Sequence, residues 1–161
     1  MIVIVMGVTG SGKTTIGTLL AAKLGWEFAD ADDFHSAANK EKIRHGIPLT
    51  DADREPWLAA MRERIRAWVA EKHNAVLACS ALKRNYRDEL SAGPEVKFVY
   101  LKGTYDLIYK RLLHRTGHFA DEHILASQFA TLEEPPDAIT VDIGPEPEQI
   151  VSEICRRLGL A

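Results

Sequence analysis

The stretch from Val3 to Gly17, VIVMGVTGSGKTTIG, constrains the fold more than any other part of the chain. A short apolar run of strand type ends at Met6, and Gly7, Gly10 and Gly12 follow before Lys13, Thr14 and Thr15. A helical period then begins, marked by Ile16, Leu19, Leu20, Lys23 and Leu24 and stopped by Gly25. Gly7 to Thr14 fits the pattern G-x4-G-K-[ST] in the strand-to-helix setting that the pattern requires. Glycines let backbone N–H groups turn inward around a phosphate, and a helix N-terminus adds a favourable dipole. The pattern therefore assigns nucleotide phosphates to Gly7, Val8, Thr9, Gly10, Ser11, Gly12, Lys13, Thr14 and Thr15. Lys13 is expected to reach the β- and γ-phosphates, and the Thr14 hydroxyl to face Mg²⁺. The plain alternative is a glycine-rich turn with an exposed lysine.

Further strand-type runs lie at Ala75–Cys79, Val96–Leu101 and Ala138–Val141, with a weaker one at Trp26–Phe28. Helical periods separate them, notably Trp57, Leu58, Met61, Ile65, Trp68 and Val69, and then Ile150, Val151, Ile154, Cys155 and Leu158. Strands alternating with helices predict an α/β chain: a parallel five-stranded sheet, with helices on both faces making three layers. Its 161 residues, with no dividing linker, predict one domain over 1–161. A net charge of −3 offers nothing to nucleic acid across the whole surface, so any anion site must be local. Met1 to Met6 is too short to span a membrane. Cys79 and Cys155 stand far apart in no metal or redox spacing and read as core thiols, which suits a reducing, cytoplasmic setting.

A phosphate loop does not say what is done with the nucleotide. The only Asn-Lys, Asn39-Lys40, follows no strand and lacks the N-K-x-D continuation of a guanine reader. The apolar run AVLACS ends in Cys79 and Ser80 instead of an acid, so a metal-side carboxylate must come from elsewhere. FADADDFH, Phe28 to His35, supplies candidates: in extended backbone Asp30 and Asp32 share one face. One would serve Mg²⁺ and one the proton of an acceptor hydroxyl, against the alternative of a solvated acidic turn, and Asp33 reads as a helix cap. Lys83 with Arg87, and Arg111 with Arg115, stand at i,i+4, where like charges repel unless an anion lies beside them. An ordinary solvated face is the competing reading of Lys83 and Arg87. His114 and His118 share that spacing but lack a third ligand for zinc. The tryptophans and Met61 read as core.

GVTGSGKTT, DADDFH, NKEKIRHGIPLTDADREPW, CSALKRNYRD, FVYLKG, RTGHF and SQFATLEEP follow one another in an order that resembles the gluconate kinases. These are small phosphate-loop kinases related to shikimate and nucleoside monophosphate kinases. The resemblance spans about residues 2 to 150, departing where Ser36 stands in place of a frequent proline, Ser91 of a frequent arginine and Ala120 of a frequent methionine. It implies a phosphate-loop kinase fold with a mobile lid over about 111–123, ATP and Mg²⁺ as cofactors, and transfer of phosphate to the terminal hydroxyl of D-gluconate. It further implies Asp32 as the hydroxyl-contacting base, Asp30 with Thr14 on the metal side, and Arg115 as a lid arginine reaching the phosphates. Arg111 would contact nucleotide, and DIGPEPEQI would lie beside the adenine. His35, Arg54, Lys83, Arg87 and His118 would join Asp32 around the sugar acid, Lys83 and Arg87 near its carboxylate. The resemblance allows a homodimer and implies neither a nucleic-acid nor a membrane partner. A kinase for shikimate or another polyol acid, and a nucleotide-gated binding protein, are the alternatives.

Overall fold

The structure, a computed structural model, describes residues 1–116 and 122–160. The strands are β1 (Ile2–Met6), β2 (Glu27–Asp30), β3 (Ala75–Ala78), β4 (Val96–Lys102) and β5 (Ile139–Asp142). The helices are α1 (Lys13–Leu24), α2 (Ala37–Arg44), α3 (Asp51–Ala70), α4 (Arg84–Leu90), α5 (Tyr105–Thr116), α6 (Glu122–Thr131) and α7 (Pro147–Arg157). All strand pairs are parallel, in the order β2-β3-β1-β4-β5. Every residue of β1 is buried, as a central strand covered on both faces requires.

Side chains alternate across that strand, and the alternation divides the core in two. Val3 and Val5 join Val76, Val99 and Leu101 under Ile16, Leu20, Ile108, Leu125 and Ile154, so α1, α5, α6 and α7 cover one face. Ile2, Ile4 and Met6 join Leu77 and Tyr100 under Trp57, Met61, Ile65, Trp68 and Leu90, so α3 and α4 cover the other. Cys79 and Cys155 are free and buried, one in each cluster. Among the described residues no helix is long and apolar enough to cross a membrane.

Two departures from the sequence reading bear on the site. β2 runs on to Asp30 and is followed at once by a 3₁₀ turn, Ala31–Phe34, so Asp32 does not continue an extended strand. α4 starts only at Arg84, which leaves Lys83 in extended backbone at the cap position and outside the helix. The expected i,i+4 face of Lys83 and Arg87 therefore does not form.

Candidate active site

The loop between β1 and α1 opens at the carboxyl ends of the strands, where open parallel sheets bind ligands. Gly12 caps α1 at φ +97°, a conformation that a side chain would strain. Gly10, at φ +78°, lies so near α5 that a Cβ would come 2.8 Å from Leu112 Cγ. Lys13 reaches back over the loop, its Nζ donating to the Val8 carbonyl at 3.0 Å. A cavity of about 360 Å³ opens beside the loop, lined by Gly10, Ser11, Gly12, Thr15, Arg111, Leu112 and the stretch 144–147. Arg111 is anchored there, donating from Nη2 to the Ile143 carbonyl at 2.6 Å. The cavity is of ligand size, and the sequence reading placed nucleotide against these same segments.

On the other side of α1's first turn, the Thr14 hydroxyl donates to Asp30 Oδ2 at 2.9 Å. Asp30 Oδ1 accepts from the backbone N–H of Asp32 at 2.9 Å. The capping role expected of Asp33 thus falls to Asp30, because the chain turns immediately after β2. Two hard oxygen donors side by side at a phosphate loop suit Mg²⁺.

Asp32 is exposed. Partial desolvation raises its carboxyl pKa above the ordinary value, the charge of Asp30 adds to the rise, and His35 and Lys13 oppose it. His35 stacks on Trp57 with ring centroids 4.4 Å apart and planes 10° from parallel. Trp57 Nε1 in turn donates to the Ala31 carbonyl at 2.7 Å, so one indole fixes both the acidic turn and the imidazole. Ser36, at the family's frequent proline position, caps α2 by accepting from the Asn39 N–H at 3.1 Å. Buried Asn39 donates from Nδ2 to the Asp53 carbonyl at 2.7 Å, and the same nitrogen lies 3.4 Å from His35 Nδ1. Burial lowers the His35 pKa, with Asp32 opposing and Arg54 and Lys40 lowering it further. With the Asn39 amide nitrogen as donor, a neutral ring is assigned the tautomer that accepts at Nδ1 and has its proton on Nε2.

Beyond His35, the cations converge. Arg54 Nη1 donates to the Tyr86 hydroxyl at 3.3 Å, and that hydroxyl donates to Asp51 Oδ1 at 2.6 Å. Arg54 and Lys83 each lie 3.6 Å from the same Asp51 oxygen. Arg87 takes no part. It is 7% exposed, and its guanidinium donates to the carbonyls of Ala81 (2.8 Å), Leu82 (3.1 Å) and Glu133 (2.8 Å). The expectation that Arg87 faces a substrate carboxylate is corrected: a buried guanidinium must satisfy its donors internally, and here it does so on backbone. Those bonds hold Ala81 at φ +46°, a left-handed conformation costing about 1–2 kcal/mol, and so fix the turn that carries Lys83.

Arg87→Ala should accordingly lower stability by about 3 kcal/mol, through lost charged hydrogen bonds and unpaired carbonyls. In a chain of this size that is a fall of about 6–12 °C in Tm, measurable by thermal unfolding. A protein with unchanged Tm and a raised substrate KM would restore the ligand role. The expectations for Arg115 and His118 lie outside the described side chains, as does the middle of the 111–123 segment.

A family model described as shikimate kinase matches residues 9–158. A "Probable gluconokinase" of Mus musculus is 48% identical over 155 residues, covering 85% of this chain and 84% of that protein. A "Gluconokinase" of Gluconobacter oxydans (strain 621H) is 45% identical over 157 residues, covering 95% and 88%. The chain belongs to the gluconokinase family. A crystal structure of a gluconokinase from Sinorhizobium meliloti 1021 superposes with a TM-score of 0.88 at 41% identity, over 98% of this chain and 90% of that one. Membership makes this gluconokinase-family chain a kinase acting on an alcohol group, on the five-stranded parallel sheet already described.

Several residues of this gluconokinase-family site escaped sequence reading. Asp51 passes for a first-turn acid beside the Thr50 and Asp53 capping box, and Tyr86 carries no motif chemistry of its own. Trp57 reads as core and is buried there, and its indole also bonds the Ala31 carbonyl and stacks on His35. Gln128, within SQF, accepts at Oε1 from the Thr9 N–H at 2.6 Å and so ties α6 to the phosphate loop. Two residues beyond the end of α6, Glu133 meets the same turn as Arg87, its N–H donating to the Leu82 carbonyl at 2.9 Å. Aromatic and amide residues clustered among the quoted motifs were the available signal.

Proposed function

We propose that this chain transfers the γ-phosphoryl group of ATP to the terminal hydroxyl of D-gluconate, giving 6-phospho-D-gluconate. The observation that carries the reading is that the phosphate loop with its Thr14–Asp30 pair and the Asp32 carboxylate share one neighbourhood with His35 and the Arg54–Lys83 cations, which suits a substrate bearing both a phosphorylatable hydroxyl and a carboxylate. Lys13 and the loop N–H groups would hold the β- and γ-phosphates, and Asp32 would orient the attacking hydroxyl and accept its proton. His35 offers an Nε2–H donor to a sugar hydroxyl. Mg²⁺, held by Thr14 and Asp30, would supply neutralisation of the phosphate charge. Arg111 would meet the nucleotide in the cavity beside the loop, and Arg115 would join the phosphates from the lid. A reducing cytoplasm suits the two free, buried thiols.

A coupled assay with Mg·ATP over gluconate, other aldonates, shikimate and AMP tests this. Gluconate should give the highest kcat/KM. Preferential turnover of shikimate would replace the reading with the sister activity, and ATP hydrolysis without any acceptor dependence would point to a nucleotide-gated binder. In the same assay Lys83→Ala should raise KM for gluconate by roughly ten- to a hundredfold, as for loss of a charge-assisted hydrogen bond, while KM for ATP stays near wild type. Equal shifts for both substrates would reduce Lys83 to a stabilising surface charge.

A further inference from the structure

Asp51 stands at the first position of α3, three-quarters of its side chain exposed, and yet one of its oxygens is the focus of three groups. Tyr86 donates to Oδ1 at 2.6 Å, and that atom is approached at 3.6 Å both by Arg54, one turn along the same helix, and by Lys83, from the turn before α4. Tyr86 also accepts from Arg54, so phenol and guanidinium are locked in one arrangement around the carboxylate. An acid in the first turn of a helix is ordinarily explained by the helix dipole. Here the capping box of Thr50 and Asp53 already serves the α3 N-terminus, with Thr50 N–H to Asp53 Oδ2 at 3.0 Å and Asp53 N–H to Thr50 Oγ1 at 3.1 Å. A dipole effect also does not require convergence of a phenol, a guanidinium and an ammonium on one oxygen.

We propose that Asp51 is an internal stand-in for the substrate carboxylate, occupying the Arg54–Lys83–Tyr86 receptor until the sugar acid displaces it. The inference deepens the gluconate reading and rests on it. Like is exchanged for like: the incoming carboxylate takes over Tyr86 and the two cations, and Asp51, being on the surface, returns to water at small cost. In the empty protein the three donors remain paired and converged instead of splaying into solvent. The consequence is an attenuated affinity for acids, because each binding event must break the internal contact. A neutral polyol has no group to make that exchange and leaves Asp51 in place.

The test compares wild-type and Asp51→Asn proteins with gluconate and with sorbitol, the six-carbon polyol that lacks the carboxylate. Asparagine keeps the shape and can still accept from Tyr86, but removes the charge that competes. KM for gluconate, and its Kd by calorimetry without nucleotide, should fall by about two- to fivefold, the size of an exposed ion pair. Binding of sorbitol should not move. Glu55→Gln, an equal charge change one turn further along α3, should leave both values at wild type. A raised or unchanged gluconate KM and Kd in Asp51→Asn overturns the inference, since Asp51 would then be a substrate ligand or a bystander. An equal fall for sorbitol also overturns it. Failure of the underlying reading looks different: the wild-type protein itself would turn over no aldonate.

Discussion

Lys13→Ala should lose most of its turnover, roughly two to three orders of magnitude in kcat, while remaining folded. The side chain belongs to neither apolar cluster of the core, and its Nζ bond to the Val8 carbonyl spans only the loop itself. What it contributes is a positive charge pre-placed where charge develops during phosphoryl transfer, in a loop that need not reorganise. Tm should therefore move by only a few degrees, the usual scale for a substitution outside the core. Steady-state kinetics paired with a thermal melt separates the effects. A folded Lys13→Ala protein with wild-type kcat would remove the loop from the chemistry.

How much of this was legible in the sequence depends on how far apart the interacting residues lie. The strand, turn and helix of the loop were legible because they are local: apolar run, glycines, lysine and helix start occupy one short stretch, and they form β1 and α1 as expected. The two core faces were legible too, since alternation in IVIVM at β1 sends Val3 and Val5 one way and Ile2, Ile4 and Met6 the other. Asp30 and Asp32 are neighbours, though not in the way that alternation in a strand predicts. They do not share an extended face; the 3₁₀ turn folds the Asp32 N–H back onto Asp30. Arg87 was misread because helix spacing says nothing about which face is buried, and its carbonyl partners at Ala81 and Leu82 lie in a left-handed turn that no propensity favours. The Asp51–Tyr86 contact joins positions 35 residues apart, and only the packing of α3 against α4 brings them together.

Asp32→Asn should be the most informative mutant of the acceptor side, with kcat lowered by roughly two to four orders of magnitude and affinity for ATP nearly unchanged. The amide keeps the shape of the side chain but can neither accept the hydroxyl proton nor carry the charge that orients it. The pH behaviour gives a second readout. Desolvation and Asp30 raise the Asp32 pKa, so the wild-type rate should fall on the acid side at a pH above the ordinary value of this carboxylate. That limb should vanish in the residual activity of Asp32→Asn. Stability should run the other way. A carboxyl whose folded pKa is raised binds its proton more tightly in the folded chain, so its contribution is present at low pH and is lost as pH rises through the folded pKa. At neutral pH the ionised Asp32 opposes folding through desolvation and then through Asp30, and the asparagine variant should melt no lower than wild type. Asp30→Asn should show instead a raised Mg²⁺ requirement together with a lower Tm, because both of its oxygens are engaged, by Thr14 and by the Asp32 N–H. Asp33, exposed in the same turn and relieved of any capping duty, should tolerate asparagine with near wild-type kinetics. If Asp33→Asn were the crippled protein and Asp32→Asn the active one, the base would sit one residue along the 3₁₀ turn.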